Sequence, residues 1–335
     1  SSYFLPNQGT PEQNLAEPLD AIKRVYASTG NPDAILYRQK NGLIDYDERM
    51  AILLQRLRGK KHGRYFYPSL AGVGFSQNPF RWHPKIRRED GFLRMVWGIG
   101  TRAVDRVSSD YPRLISLSHP QLRPETTTAT VRQYSQWFVD VIDLEENSFK
   151  TLPIHEVMDT NFPNLRQLVS VDKGEYLQEP HSLASLKETN QLVLTFNTLL
   201  KARKFVKLMR TALRRLEAIY NTPVDTEFTV EIIPNYPYPD YKLHILQCRP
   251  LSQREEVAQV SIPSNIPPED VLFRAADLVP YGKAEGIRYV ISVDPVKYYQ
   301  IEETAVRLEL GRAISRLNKR LEHESFILMG PGRWG

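Results

Sequence analysis

Asp225-Thr226-Glu227-Phe228-Thr229-Val230-Glu231-Ile232-Ile233, and after residues 234–241 Lys242-Leu243-His244-Ile245-Leu246-Gln247-Cys248-Arg249-Pro250, are the stretches whose reading decides the fold. Acidic and apolar residues alternate with period two in the first, the pattern of a half-buried strand. Side chains two apart share a face about 6 to 7 Å from each other, so Asp225, Glu227 and Glu231 line one side while Phe228, Val230 and Ile232 pack on the other. Residues 234–240 are rich in Pro, Asn and Tyr and read as a turn, and the second stretch is long enough to return antiparallel, with Gln247 and Arg249 on one face. Strict alternation places His244 and Cys248 opposite that pair. A carboxylate and an amide oxygen on neighbouring strands are hard ligands of the kind magnesium accepts beside water and phosphate, and an arginine next to them offers a planar donor fork. The same pattern also fits a solvated sheet face on which Arg249 simply pairs with Asp225 or Glu227, and alternation does not choose between the two.

Outward from the hairpin, Thr10-Pro11-Glu12-Gln13 puts a hydroxyl at an N-cap, proline at the first helical position and glutamine at the third. Leu15, Leu19, Ile22 and Val25 then predict one buried helical stripe, ended by Gly30-Asn31-Pro32. Ala34 to Arg38 reads as a second helix or a short strand. Met50 to Gln55 and Leu70 to Phe75, the latter broken by Gly72 and Gly74, read as buried strands separated by a basic loop. Residues 120–190 lack long periodic stretches and are expected to form a variable insertion. Phe196 to Tyr220 reads as one long amphipathic helix with a basic outer face. Residues 257–269 are a proline-punctuated linker, and 270–335 a separate module with a strand at Tyr289 to Val293, a helix carrying Val306, Leu310 and Ile314, and a final apolar run, Phe326 to Met329.

Composition bounds the function. A length of 335 residues suggests about two domains at roughly 150 residues each. No apolar run approaches the roughly 20 residues that span a bilayer, which excludes a helical membrane protein. The single cysteine, Cys248, cannot form an intrachain disulfide, and Ser1 to Pro6 lack the layout of a signal peptide, so a cytoplasmic location is expected. A net charge of +5 and a pI near 9.1 suit an anionic partner, from a nucleotide to nucleic acid. The seven histidines show no metal-ligand spacing with each other or with Cys248, which argues against zinc.

Asp225-Thr226-Glu227-Phe228 followed by Leu246-Gln247-Cys248-Arg249-Pro250 resembles the paired "D-x-E-[WF] … L-Q-x-R-P" signature of the nucleotide-binding domain of phosphoenolpyruvate synthase and pyruvate phosphate dikinase, an ATP-grasp fold. Further matches stand in family order: Val25-Tyr26-Ala27-Ser28 with Ala34-Ile35-Leu36-Tyr37-Arg38 resembles "V-W-A-S … A-I-x-Y-R", Ala51 to Gln55 resembles "V-x-V-Q", and Ala71 to Pro79 resembles "A-G-V-x-F-[ST]-x-N-P". The resemblance implies an α+β protein: an incomplete ATP-grasp-like domain over residues 1–256, with a mixed or antiparallel sheet and flanking helices, followed by the small C-terminal α/β module.

Position by position, the resemblance implies metal and phosphate roles for Glu227 and Gln247, phosphate contacts for Arg249 and Arg38, a charge partner in Asp225, and a place for Gln55 on a strand bordering the nucleotide pocket. Glu227 and Arg249 would be the catalytic pair. Mg2+ and ATP are the implied cofactors, and the implied activity is phosphoryl transfer to an acceptor that the residues do not specify, pyruvate being the family's. Departures accompany the matches. The lysine and the "R-S-S" arginine that hold ATP in the family are expected before Ser1, in a longer protein. Thr101 stands where "G-L-G-E" has its acid, and no "T-S-H-A" phosphohistidine motif follows Pro250; Ser118-His119-Pro120 precedes the nucleotide strands and reads as a surface loop. The alternative is a non-catalytic nucleotide sensor, or a nucleic-acid-binding module using the basic stretches 56–64 and 81–88 with Trp82.

Overall fold

The computed structural model describes residues 3–47, 49–78, 80–104, 110–160, 162–180, 186, 191–251, 265–272, 279–280 and 284–331. The chain divides into two units, residues 1–252 with 273–279, and residues 253–272 with 280–335. Most of the linker expected at 257–269 lies outside the described residues. Elements are mixed α and β, and no described helix is long and apolar enough to cross a membrane.

In the first unit the expected hairpin forms: Val224–Ile233 pairs antiparallel with Asp240–Pro250. It is the edge of a five-stranded sheet in which Val224–Ile233 next pairs Leu70–Phe75, followed by Phe92–Val96 and Arg113–Ser116, every neighbour antiparallel. One face is covered by the helix Arg203–Tyr220, which buries Phe205, Met209 and Leu213. These join Leu70, Leu93, Met95, Phe228, Val230 and Ile232 in the principal core. Close packing explains the glycines of the Leu70–Phe75 strand. A Cβ on Gly72 would lie 2.2 Å from the Arg94 carbonyl oxygen, and one on Gly74 would touch Leu213, Leu93 and Thr226 at 3.2 to 3.4 Å.

The opposite face carries two smaller apolar clusters, Ala71, Val73, Val96 and Ala103 against the short helix Thr101–Val104, and Phe92 and Leu114 with Trp82 and Ile86. Beside the first of these the buried Arg102 donates to Asp110 at 2.7 Å and to Asp140 at 3.1 Å, so its charge is compensated twice. Thr101 also donates to Asp140, which gives that threonine a structural partner where the family motif has an acid.

A second antiparallel sheet runs Lys60–His62, Tyr65–Tyr67, Phe138–Asp143, Ser148–Pro153. Tyr67, Trp97 and Phe162 pack ring on ring beneath it. The stretch 120–190 is therefore built from short regular elements, and its Val139, Val141, Ile142, Leu165, Leu168 and Val169 enter the principal core.

Several local expectations are corrected. The helix Pro11–Ala27 starts with the expected capping box at Thr10, yet buries no residue; Leu15 and Leu19 are exposed. Of the two readings of Ala34 to Arg38 the helix is the one that forms, as Pro32–Lys40. Met50 to Gln55 forms no strand, and Leu53 and Leu54 are 76% and 71% exposed. A short apolar run has no period that distinguishes a strand from a connector. The stretch 196–220 is two helices, Asn197–Lys201 and Arg203–Tyr220, because Phe196 and Ala202 leave helical geometry.

In the second unit Tyr289–Ser292 pairs in parallel with Phe326–Met329, and the helix Thr304–Arg320 lies between them in sequence, which makes a βαβ unit. Asp294 caps the helix Pro295–Tyr299 through its carboxylate. None of the described residues after 251 in this unit is buried.

Candidate nucleotide site on the hairpin

The hairpin brings four of the candidate residues into two adjacent rungs of one sheet face. Asp225 lies opposite Arg249 and Glu227 opposite Gln247. Directly opposed residues place their Cβ atoms about 4.5 to 5.5 Å apart, so the Glu227 carboxylate and the Gln247 amide are neighbours by construction.

Asp225 is buried, its side chain only 12% exposed, and it holds Arg249 through Nε at 2.8 and 2.9 Å. The Arg249 side chain is 60% exposed, and Asp225 holds it at Nε. The hydrogen bond to Asp225 raises the Arg249 pKa further, so the guanidinium is a permanent cation anchored at one nitrogen. Glu227 is half buried and Gln247 exposed.

Between Glu227 and Phe228 the register shifts: Glu227 faces Gln247, but Phe228 faces Ile245, so Leu246 is an extra residue on the return strand. This β-bulge overturns the expected side for His244. Alternation without the bulge sends it away from Gln247; with it, His244 lies opposite Thr229, on the face of Glu227 and Gln247. Cys248, on the other side of the bulge, faces Thr226 as expected.

Gln55 reaches the hairpin from an irregular segment instead of a strand. Its Nε2 donates to the Leu246 carbonyl at 2.8 Å, which satisfies an acceptor at the bulge. Arg38 belongs to a different element: it sits on the helix Pro32–Lys40, where Nη2 donates to the Thr29 carbonyl at 2.8 Å. The structure thus groups Asp225, Glu227, Gln247 and Arg249, touches that group with Gln55, and holds Arg38 by a local contact.

One neighbour escapes the motif reading. Val73 pairs with Glu227 on one side and with Arg94 on the other, so Arg94 shares the face one strand further in. Its signal in the sequence is a lone cation in the apolar run Phe92-Leu93-Arg94-Met95-Val96. Elsewhere, Trp82 is a core residue packed on Phe92, and Arg64 is ion-paired to Asp143, Glu145 and Glu146. Of the residues invoked for a nucleic-acid surface, Trp82 and Arg64 are thus engaged within the protein, while Arg56 and Arg58 are exposed. Ser118 donates to Asp90 at 2.5 Å and sits 2.9 Å from His119 Nδ1, a hydrogen-bonded loop on the other side of the unit's sheet order from the hairpin.

A family model described as the pyruvate phosphate dikinase AMP/ATP-binding domain matches residues 2–269. The chain belongs to that family. The match spans the whole of the hairpin and the central sheet, and it ends before the βαβ unit of the second part. No curated protein matches the chain.

The donor set of the AMP/ATP-binding domain can be tested against magnesium. Among the described residues no group of three or more His, Cys, Asp and Glu side chains converges as a metal site. Glu227 and Gln247 offer two hard oxygens, which fits an ion that takes one or two protein ligands and fills its shell with water and phosphate, and does not fit one that needs a protein cage.

Proposed function

We propose that this member of the AMP/ATP-binding domain family binds Mg-ATP on the Glu227 face of its hairpin and acts as an ATP-dependent phosphotransferase. The observation that carries the reading is the pair of adjacent rungs, Glu227 opposite Gln247 and Asp225 opposite Arg249. Glu227 and Gln247 would hold magnesium, and the bound ion would withdraw negative charge from phosphate oxygens. Asp225 fixes Arg249 at Nε so that its remaining donors are presented to phosphate without conformational search. Arg249 thereby supplies a positive charge where negative charge develops on a transferring phosphoryl group, the electrostatic route by which such enzymes work. Gln55 borders the site by holding the bulge, and Arg38 is assigned a phosphate contact on the family motif alone. An ATP-grasp-like first domain over residues 1–256 and a distinct module over 270–335 belong to the same proposal.

Calorimetric titration with Mg-ATP tests it on the full chain. Glu227→Gln is expected to weaken Mg-ATP binding by about tenfold or more, since a charged ligand to the metal becomes neutral. Unchanged affinity in that variant would overturn the site.

A further inference from the structure

The same sheet face continues past the bulge into a small cleft of about 110 Å3, open to solvent, which none of the motif residues enters. Its walls come from three parts of the chain: Arg58 to Lys60, Pro68 and Ser69, and the hairpin rungs Thr229–His244 and Glu231–Lys242. Glu231 is four residues along the strand from Glu227, about 13 Å at the rise of an extended chain.

Charge in the cleft is unbalanced. Arg58, Lys60 and Lys242 line it against one carboxylate, Glu231. Lys60 is bound to that carboxylate at 2.5 Å. Arg58 makes no hydrogen bond or ion pair among the described residues, and Lys242, on the rung opposite Glu231, acts on that carboxylate only through its charge. The floor adds a neutral donor: Thr229 is 4% exposed, and its Oγ1 has no hydrogen-bond partner. Leaving a buried hydroxyl unsatisfied costs about 1 to 3 kcal/mol, so a polar group reaching it from the cleft relieves a standing penalty.

The bulge supplies the fourth donor. Without the extra residue Leu246, His244 would face the helix side; with it the imidazole joins Arg58, Lys242 and Thr229. Burial lowers the His244 pKa, and Arg58 and Lys242 lower it further against the opposing pull of Glu231.

We propose that this cleft is a binding site for the phosphate group of a small ligand, independent of magnesium and separate from the Glu227–Gln247 rungs. Arg58, Lys242 on the rung opposite Glu231, an imidazole and an unsatisfied hydroxyl around one concavity match a tetrahedral dianion: the arginine fork and the lysine point charge neutralise it, and Thr229 and His244 donate to the remaining oxygens. The inference does not rest on Mg-ATP binding at the other end of the face.

The test is titration of the full chain with inorganic phosphate in the presence of a chelator. Wild type is expected to bind, and R58A/K242A to bind about tenfold more weakly or worse. Both side chains are exposed, so the double variant keeps the fold, which its thermal melt checks. T229V, which keeps the volume and removes the hydroxyl, is expected to weaken phosphate binding about three- to tenfold. E227Q is expected to leave phosphate affinity unchanged while it weakens Mg-ATP. Absence of phosphate binding in wild type, full affinity in R58A/K242A, or an equal loss in E227Q would overturn the proposal. Displacement of phosphate by Mg-ATP would assign the cleft to the nucleotide's own phosphates and overturn a separate site. Mg-ATP affinity in E227Q judges the nucleotide reading by itself, whatever phosphate does.

Discussion

At the scale of single residues, Arg249 and Asp225 divide one interaction unequally. The arginine is mostly solvated and the aspartate buried, so the ion pair adds little to stability, about 0 to 1 kcal/mol for a pair that water still reaches. Arg249→Ala is therefore expected to change the unfolding free energy by less than about 1 kcal/mol and to weaken Mg-ATP binding by about tenfold or more. Urea unfolding and calorimetry on the same variant separate the two. That Arg249 meets a carboxylate is legible in the sequence, but which one is not: the register next to the turn, continued without the bulge, would set Asp225 opposite Cys248. Nor is the side of His244: a bulge is set by one backbone irregularity, and no residue type at Leu246 announces it. Arg94 is legible in principle, as a cation in an apolar strand, but only the sheet order places it on the face of Glu227, with Val73 between them.

At the scale of elements, the Leu70–Phe75 strand is central in the sheet and its glycines are spatial requirements. Gly72→Ala would press a methyl group against a backbone carbonyl, which cannot move without breaking the ladder, and is expected to cost about 3 kcal/mol or more. Gly74→Ala meets side chains that can yield, and is expected to cost about 1 kcal/mol. Chemical unfolding of the two variants side by side checks the contrast. The hairpin of Phe138–Asp143 and Ser148–Pro153 is held at its turn by the fully buried Asp143 carboxylate, which accepts from Arg64, Lys150 and the Glu145 and Glu146 backbones. The hydrogen bond from Arg64 outweighs the upward push of burial and holds the Asp143 carboxyl well below the usual range. Its contribution is therefore complete above the unfolded value near 3.9 and is lost as pH falls below it, because the unfolded chain takes up a proton that the folded chain refuses. Asp143→Asn is expected to cost about 3 kcal/mol at neutral pH and to flatten the decline of stability below about pH 4, read from urea unfolding across pH 3 to 7. Helix starts were readable because capping is local, as Thr10 shows. Burial was not: the stripe Leu15, Leu19 has helical spacing, and spacing cannot say whether anything covers it.

At the scale of the whole molecule, the buried side chains belong to the first unit, and the described residues of the second have none. A chain ended at Pro280 is expected to melt cooperatively within roughly 4 °C of the full protein, because about 1 kcal/mol moves a domain of this size by only a few degrees. Differential scanning calorimetry would show a larger drop if the second unit contributes to the first unit's core. The use of residues 120–190 as core was hidden in elements too short to carry a period. The order of strands has a consequence during synthesis. Phe75 finds its neighbour Asp225 only after about 150 further residues have left the ribosome, an interval of roughly 10 to 30 s at usual elongation rates. Throughout that time the nascent Leu70–Phe75 segment has an open flank with unpaired backbone groups and a row of apolar side chains, the condition under which growing chains stick to one another or are held by a chaperone. The arm that brings the carboxylate, amide and guanidinium together is thus also the last plank of the sheet, and its arrival covers the flank on which growing chains would stick.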